Sequence, residues 1–340
     1  MEEIIIRKMG AIGRMTLNRP QALNSLTANM VKKIDLALDE WESDKDVTAV
    51  VIDAAGEKAF CAGGDITDIY NEAQKMNFEY GKKFWANEYK LNLKISNYSK
   101  PYIAFMQGYT MGGGVGISCH GSCRVVEENS IIAMPECSIG LVPDVGGSHL
   151  LARLDNNLGQ FLGTTAARMT ASDAIFCRFA DHLIPRGHWE EVIRLISKNG
   201  DVYDAINKYQ RSPSVSKIKK IMPAIRDAMS GIHYSELEEN MLRHASLAKA
   251  LTSLQRNSPL SVAFTFEMLK NPMVIASVAS AIQIEYRYTF RAQEETDFIE
   301  GIRAMVIDKD KKPAWKHNSL KEVKRAEIKK LLTPISGSRI

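Results

Sequence analysis

Apolar positions along this chain recur with two different periods, and the switching between them predicts an alternation of strands and helices. Ile4 to Arg7 and Gly13 to Leu17 are short apolar stretches meeting near Gly10, so a hairpin is expected, ended by Asn18-Arg19-Pro20. Thr27 is a good N-cap, and Met30, Ile34, Leu38 and Trp41 follow at spacings of four, four and three, which predicts a helix with one apolar face. Val47 to Ile52 is a β-branched run of the kind found in strands buried on both faces. It leads into the loop Ala59-Phe60-Cys61-Ala62-Gly63-Gly64-Asp65. The pattern then repeats. A helical stretch from about Tyr80 to Asn97 precedes a strand Tyr102 to Gln107 and the cluster Gly112-Gly113-Gly114-Val115-Gly116, inside which a helix is expected to start. Arg124 to Val126 and Ile131 to Met134 predict two more strands before Pro135-Glu136 and the turn-rich segment Ile139 to Gly147. Three rounds of strand, loop and helix point to an α/β architecture with layered sheets.

Beyond Pro185 the strand signals thin out, and helices are expected as far as residue 305, one of them capped by Ser258 with Pro259 at its first position. Val274, Val278, Ile282 and Tyr286 fall at intervals of four, which predicts one long amphipathic helix serving as core or subunit face. The tail from Lys309 to Ile340 is rich in Lys and Arg and reads as solvated surface with a helix in its middle. The expected organisation is a catalytic core over residues 1–190 and a mainly helical C-terminal annex over residues 191–340.

At 340 residues, 45% hydrophobic and 25% charged, the chain exceeds what one core usually holds. Its 44 basic and 40 acidic residues leave a net charge of +4, too small for a nucleic-acid footprint but suited to a small, multiply phosphorylated ligand. The longest apolar stretch, near Val274 to Ile284, is broken by serines and falls short of a bilayer span, so no membrane partner is expected. The opening EEIIIRK has neither the apolar core of a secretion signal nor the look of a transit peptide. A cytoplasmic address is expected, or the mitochondrial matrix if a presequence was removed. Five cysteines (Cys61, Cys119, Cys123, Cys137, Cys177) form no CxxC pair and are odd in number, which predicts buried free thiols rather than a disulfide framework or a zinc site.

Candidate chemistry lies in the turns. Glycine loops that leave a strand and enter a helix offer unblocked backbone N–H groups, and such donors stabilise oxyanions; removing one typically costs roughly 3 to 4 kcal/mol of transition-state stabilisation. The loop at Gly63-Gly64-Asp65 and the cluster at Gly112-Gly113-Gly114 are candidate halves of one such hole. Neither fits a nucleotide loop, since GGGVG lacks the Lys-Ser or Lys-Thr of a P-loop and does not follow GxGxxG. Glu136, after a strand and a proline, and Asp144, in a glycine-framed turn, supply carboxylates for acid and base work. Met134, Ile139, Leu141 and Val142 flank them, an apolar setting that raises a carboxylate's pKa.

The ordered series FCAGGDI, TMGGGVG and MPECSIGLVPDVGGS resembles the crotonase (enoyl-CoA hydratase/isomerase) superfamily and, within it, the 3-hydroxyisobutyryl-CoA hydrolase family. The resemblance is dense from residue 3 to about 185 and continues through Asn87-Glu88-Tyr89 and the stretch Asp297 to Ala304 with Asp308-Lys309-Asp310, Pro313 and Trp315. It implies a crotonase (ClpP-like) fold of repeated ββα units with a C-terminal helical region. It also implies hydrolysis of a short 3-hydroxyacyl-CoA in valine catabolism, without cofactor or metal, in a closed homo-oligomer. On the matching positions, the N–H groups of Gly64 and Gly113 would hold the thioester carbonyl oxygen, with Gly63, Asp65 and Gly112 lining the substrate. Glu136 would be the acid/base or nucleophilic carboxylate, Asp144 the second acidic position, and Glu88 a substrate contact. Gly116 stands where hydratases place a second catalytic glutamate, which disfavours a two-glutamate hydratase.

Three other readings stay open at this point. Glu136 acting alone would support an enoyl-CoA hydratase/isomerase. Gly116-Ile117-Ser118-Cys119-His120-Gly121 approaches a nucleophile elbow, but GxSxG needs glycine at 120, so Ser118 and His120 read as packing and capping residues. A non-catalytic acyl-CoA-binding scaffold is the third. Arg19, Lys58, and Lys309 or Lys312 are candidate cations for the CoA phosphates.

Overall fold

A computed structural model describes residues 2–231 and 233–335. The opening apolar stretches pair as an antiparallel hairpin of β1 (Ile4–Met9) and β2 (Ile12–Leu17), with Gly10 at φ +57 in the turn. Thr27 caps the helix Ala28–Ser43 by accepting from Met30 N at 3.1 Å, and Met30, Ile34, Leu38 and Trp41 lie on its buried face. The chain then places β3 (Ala49–Ala54), β4 (Ala59–Cys61), β5 (Tyr102–Met106), β6 (Tyr109–Met111), β7 (Cys123–Val126), β8 (Ile131–Ala133), β9 (Met169–Thr170) and β10 (His182–Leu183). Two sheets result, a six-stranded one in the order β1-β2-β3-β5-β7-β10 and a four-stranded one in the order β4-β6-β8-β9. Each round of the repeat sends its first strand (β3, β5, β7) to the large sheet and its second (β4, β6, β8) to the small one. This is the repeated-strand-pair α/β arrangement, with only helices after β10 among the described residues.

The large sheet is parallel from β2 onward, and every residue of β3 and β5 is buried. That explains the unbroken apolar runs: a strand covered on both faces has no solvent side to alternate toward.

Two compact units interleave along the chain. The first gathers the described residues of Met1–Gly64, Lys90–Ile132 and Met169–Lys219, and holds both sheets apart from Ala133. Its main core joins Ile12, Val51, Ile103, Phe105 and Val125 to Trp189, Val192, Ile193 and Ile196 of the helix Trp189–Asn199. Residues 191–219 therefore pack with the sheet. The second unit gathers the described residues of Asp65–Tyr89, Ala133–Arg168 and Lys220–Ile340. Its helix Pro259–Met268 is buried at every position except Glu267, as befits a helix apolar all round. Ser258 caps it, accepting from Ser261 N at 3.1 Å, while the Ser258 hydroxyl donates to Asp297 Oδ2 at 2.5 Å.

The single long helix expected from Val274 to Tyr286 is instead two, Pro272–Ala276 and Val278–Glu295. Ser277 stands between them in extended conformation (φ −161, ψ 161) and accepts from Ser280 N at 3.1 Å, so a local cap overrides the four-residue spacing. The helix expected in the middle of the C-terminal tail is Arg325–Leu331, and residues 336–340 of that tail lie outside the described ones. Among the described residues no helix is long and apolar enough to cross a membrane. All five cysteines are buried free thiols.

Candidate active site

In the first unit, β4 and β6 pair in parallel, Ala59 opposite Tyr109 and Cys61 opposite Thr110, so the glycine turns that follow them leave side by side. Gly63 has φ +113, and a Cβ there would sit 3.6 Å from the Met111 carbonyl oxygen. Its own carbonyl accepts from Leu26 N at 2.9 Å, which ties the loop to the start of the preceding helix. Gly112 has φ 50 and ψ −120, a conformation open only to glycine. A Cβ on Gly114 would collide with the Cys61 carbonyl, so the close approach of the two turns depends on glycine there as well. Gly63, Gly64, Gly112 and Gly113 are thereby brought together. Among the described residues, the N–H groups of Gly64 and Gly113 donate to no backbone carbonyl. Gly113 opens a helix of only four residues, Gly113–Gly116, so the helix-dipole contribution expected there is small.

Ser118 closes this segment with its hydroxyl donating to the Gly114 carbonyl at 2.6 Å, fully buried. That is a packing role, as the sequence reading expected of Ser118.

In the second unit the structure assembles carboxylates. Glu136 begins the one-turn 3-10 helix Glu136–Ile139 behind Pro135, is 4% exposed, and its Oε2 has no hydrogen-bond partner. Asp144 is equally buried at the head of a tight turn in which Gly147 N donates to the Asp144 carbonyl at 2.6 Å. Glu88 projects from the helix Glu79–Ser96, buried, with Oε1 unpartnered. Burial, and then repulsion from Asp144, pushes the Glu88 carboxyl up to about 8. The same two causes, in the same order, hold Glu136 well above the ordinary carboxylate range, with weaker repulsion from Glu285 and Glu88. Burial raises Asp144 too, while the Tyr89 hydroxyl, donating to its Oδ2 at 2.7 Å, pulls it back. Unlike these three, Asp65 makes a local turn contact, its Oδ1 accepting from Thr67 N at 3.4 Å where the helix Thr67–Gln74 begins.

Two participants escaped the sequence reading. Tyr89, which holds Asp144, also lies 3.2 Å from Thr289 Oγ1. Glu285, completely buried on the helix Val278–Glu295, accepts from Gly146 N at 2.8 Å, from Ser148 N at 3.1 Å and from the Ser148 hydroxyl. Its signal was present: it falls four residues after Ala281 and three after Ile282, on the apolar stripe, where an unpaired carboxylate has no place.

The family model described as enoyl-CoA hydratase/isomerase matches residues 12–332. This chain belongs to the enoyl-CoA hydratase/isomerase family. Among curated relatives, the 3-hydroxyisobutyryl-CoA hydrolase, mitochondrial, of Danio rerio is 37% identical over 345 residues, covering 98% of this chain and 90% of that protein. The protein of the same name from Xenopus laevis is 38% identical and covers 98% and 89%. Among solved structures of the family, an enoyl-CoA hydratase from Rhodobacter sphaeroides 2.4.1 superposes with a TM-score of 0.94 at 42% identity, covering 98% of each chain.

Proposed function

We propose that this protein hydrolyses the thioester of a short 3-hydroxyacyl-CoA, 3-hydroxyisobutyryl-CoA above all, to the free hydroxy acid and CoA. The observation that carries this reading is the near full-length similarity, at 37 and 38% identity, to proteins named 3-hydroxyisobutyryl-CoA hydrolase. The buried acids Glu136 and Asp144, and the N–H groups of Gly64 and Gly113, which among the described residues donate to no backbone carbonyl, supply chemistry that fits it. In the proposed mechanism those N–H groups hold the thioester oxygen as it gains charge. Glu136, once ionised, either attacks the carbonyl carbon or takes a proton from the attacking water. The C–S bond then breaks, and on the first route water cleaves the resulting anhydride to release the hydroxy acid and restore Glu136. A thiol has a pKa near 8.5, so CoA departs as thiolate with little acid assistance. Asp144 orients the water or the substrate hydroxyl, and Glu88 contacts the acyl group. The names of the relatives carry the word mitochondrial, and the same compartment, with a place in valine breakdown, is proposed here.

The Rhodobacter structure favours a second reading, hydration of an enoyl-CoA. One assay separates them. Purified protein given 3-hydroxyisobutyryl-CoA should release free thiol, and given crotonyl-CoA should leave the enoyl absorbance unchanged. Loss of that absorbance without thiol release would overturn the hydrolase reading in favour of the hydratase. In single turnover in 18O-water, label in the Glu136 side chain identifies the anhydride route with water attacking the glutamyl carbonyl, since direct water attack on the thioester puts label only in the product.

A further inference from the structure

The turn that carries Asp144 is held in an unfavourable conformation. Val145 has φ 53 and Gly146 φ 74, two left-handed residues in succession, with Gly147 N closing the turn onto the Asp144 carbonyl. Glycine takes this conformation freely, but a β-branched residue there is strained, and the surroundings must offset that strain. Val145 is also buried, so the strain is not relieved by solvent. What grips the turn is a side chain from a helix more than 130 residues away in sequence. Glu285 takes the N–H of Gly146 on one carboxylate oxygen, and the N–H and hydroxyl of Ser148 on the other. All three contacts are donors, which suits a carboxylate and no other side chain of this size.

We infer that Glu285 is a positioning residue for the hydrolysis, its carboxylate clamping the Gly146–Ser148 backbone so that Asp144 is presented in a strained turn. The inference rests on the reading of Asp144 and Glu136 as the working acids. Glutamine at 285 would set an NH2 group against one of the three donors and release one side of the clamp. Four ionisable groups face Glu285 or its neighbours: Asp144 on the turn, Glu136 on the 3-10 helix, and Glu88 and Tyr89 on the helix Glu79–Ser96. Asp144 and Glu285 repel one another, and Glu285 is among the charges that raise Glu136. Removing the Glu285 charge therefore lowers the pKa of Glu136.

The test compares Glu285→Gln and Ser148→Ala with the wild type, reading kcat, KM and the pH dependence of thiol release from 3-hydroxyisobutyryl-CoA. For Glu285→Gln the expected result is a kcat 10- to 100-fold lower, a KM within threefold, and an acidic limb moved to lower pH. For Ser148→Ala, which keeps the charge, kcat falls by less than 10-fold and the acidic limb stays in place. A Glu285→Gln enzyme with wild-type kcat, or one whose lower rate leaves the pH profile unshifted, overturns the inference. Should Glu285→Gln fail to fold, Ser148→Ala decides alone, a wild-type kcat there being the overturning result. A 13C-carboxyl titration of Glu136 without substrate, assigned through Glu136→Gln, reads the same coupling independently of turnover. It should move to lower pH in Glu285→Gln, and an unmoved titration overturns the inference. A wild type that releases no thiol while that titration shifts would defeat the hydrolase reading alone.

Discussion

At the scale of single residues the protein joins two demands on backbone and side chain. Where the chain needs bare N–H groups it uses glycine in conformations closed to other residues, and Gly112 at φ 50, ψ −120 is the clearest case. Gly112→Ala is expected to destabilise the fold by about 1–3 kcal/mol and to abolish most thioester cleavage, measured by urea unfolding and thiol release. Where it needs a reactive acid it buries one. Glu136→Gln retains shape and hydrogen-bonding size but removes the ionisable group, so kcat should fall about a thousandfold with the melting temperature little changed. Full activity in that variant would remove Glu136 from the mechanism. The rate should also decline as pH drops through the raised pKa of Glu136, well above the pH 4–5 range of an ordinary glutamate, because the protonated form can neither attack nor accept a proton.

At the scale of elements, local rules placed most boundaries, and short caps decided where helices begin. Thr27, Ser258 and Ser277 each accept from a backbone N–H three residues on. Ser258 carries more than a cap, since its hydroxyl also donates to the buried Asp297. Ser258→Ala should therefore cost about 2 kcal/mol, above the ~1 kcal/mol of an ordinary cap, because a buried carboxylate loses a donor as well. A shift in the urea midpoint corresponding to 0.5 kcal/mol or less would show that Asp297 is satisfied by Lys316 N alone, its other bond at 2.9 Å. The split at Ser277 teaches the converse lesson. Four-residue spacing of Val274, Val278, Ile282 and Tyr286 permits one helix, but the serine offers a competing hydrogen bond that the spacing does not reveal.

At the scale of the whole molecule, buried acids tie stability to pH. Glu88 titrates near 8 in the folded protein, against about 4.3 for a free glutamate, so the folded state binds more protons between those limits. Its contribution to stability is complete below about pH 4 and is lost as pH rises through about 8. Wild type should thus lose more melting temperature between pH 5.5 and 8.5 than Glu88→Gln does, by a few degrees. Identical losses in calorimetry would show that Glu88 is hydrated rather than desolvated.

From the sequence alone came the alternation of strands and helices, the glycine turns, the two acids Glu136 and Asp144, and the family, because each is written in local spacing or in a contiguous motif. Strand length and apolar continuity made the buried parallel sheet legible before any pairing was known. Only the tertiary structure decided which distant groups meet: Tyr89 on Asp144, Glu285 on the Gly146–Ser148 backbone, and residues 191–219 packed with the sheet rather than with the later helices. The reason is physical. A side chain's hydrogen-bond partner and its desolvation depend on what packs against it from elsewhere in the chain, and neither quantity is carried by the residue's own neighbours in sequence.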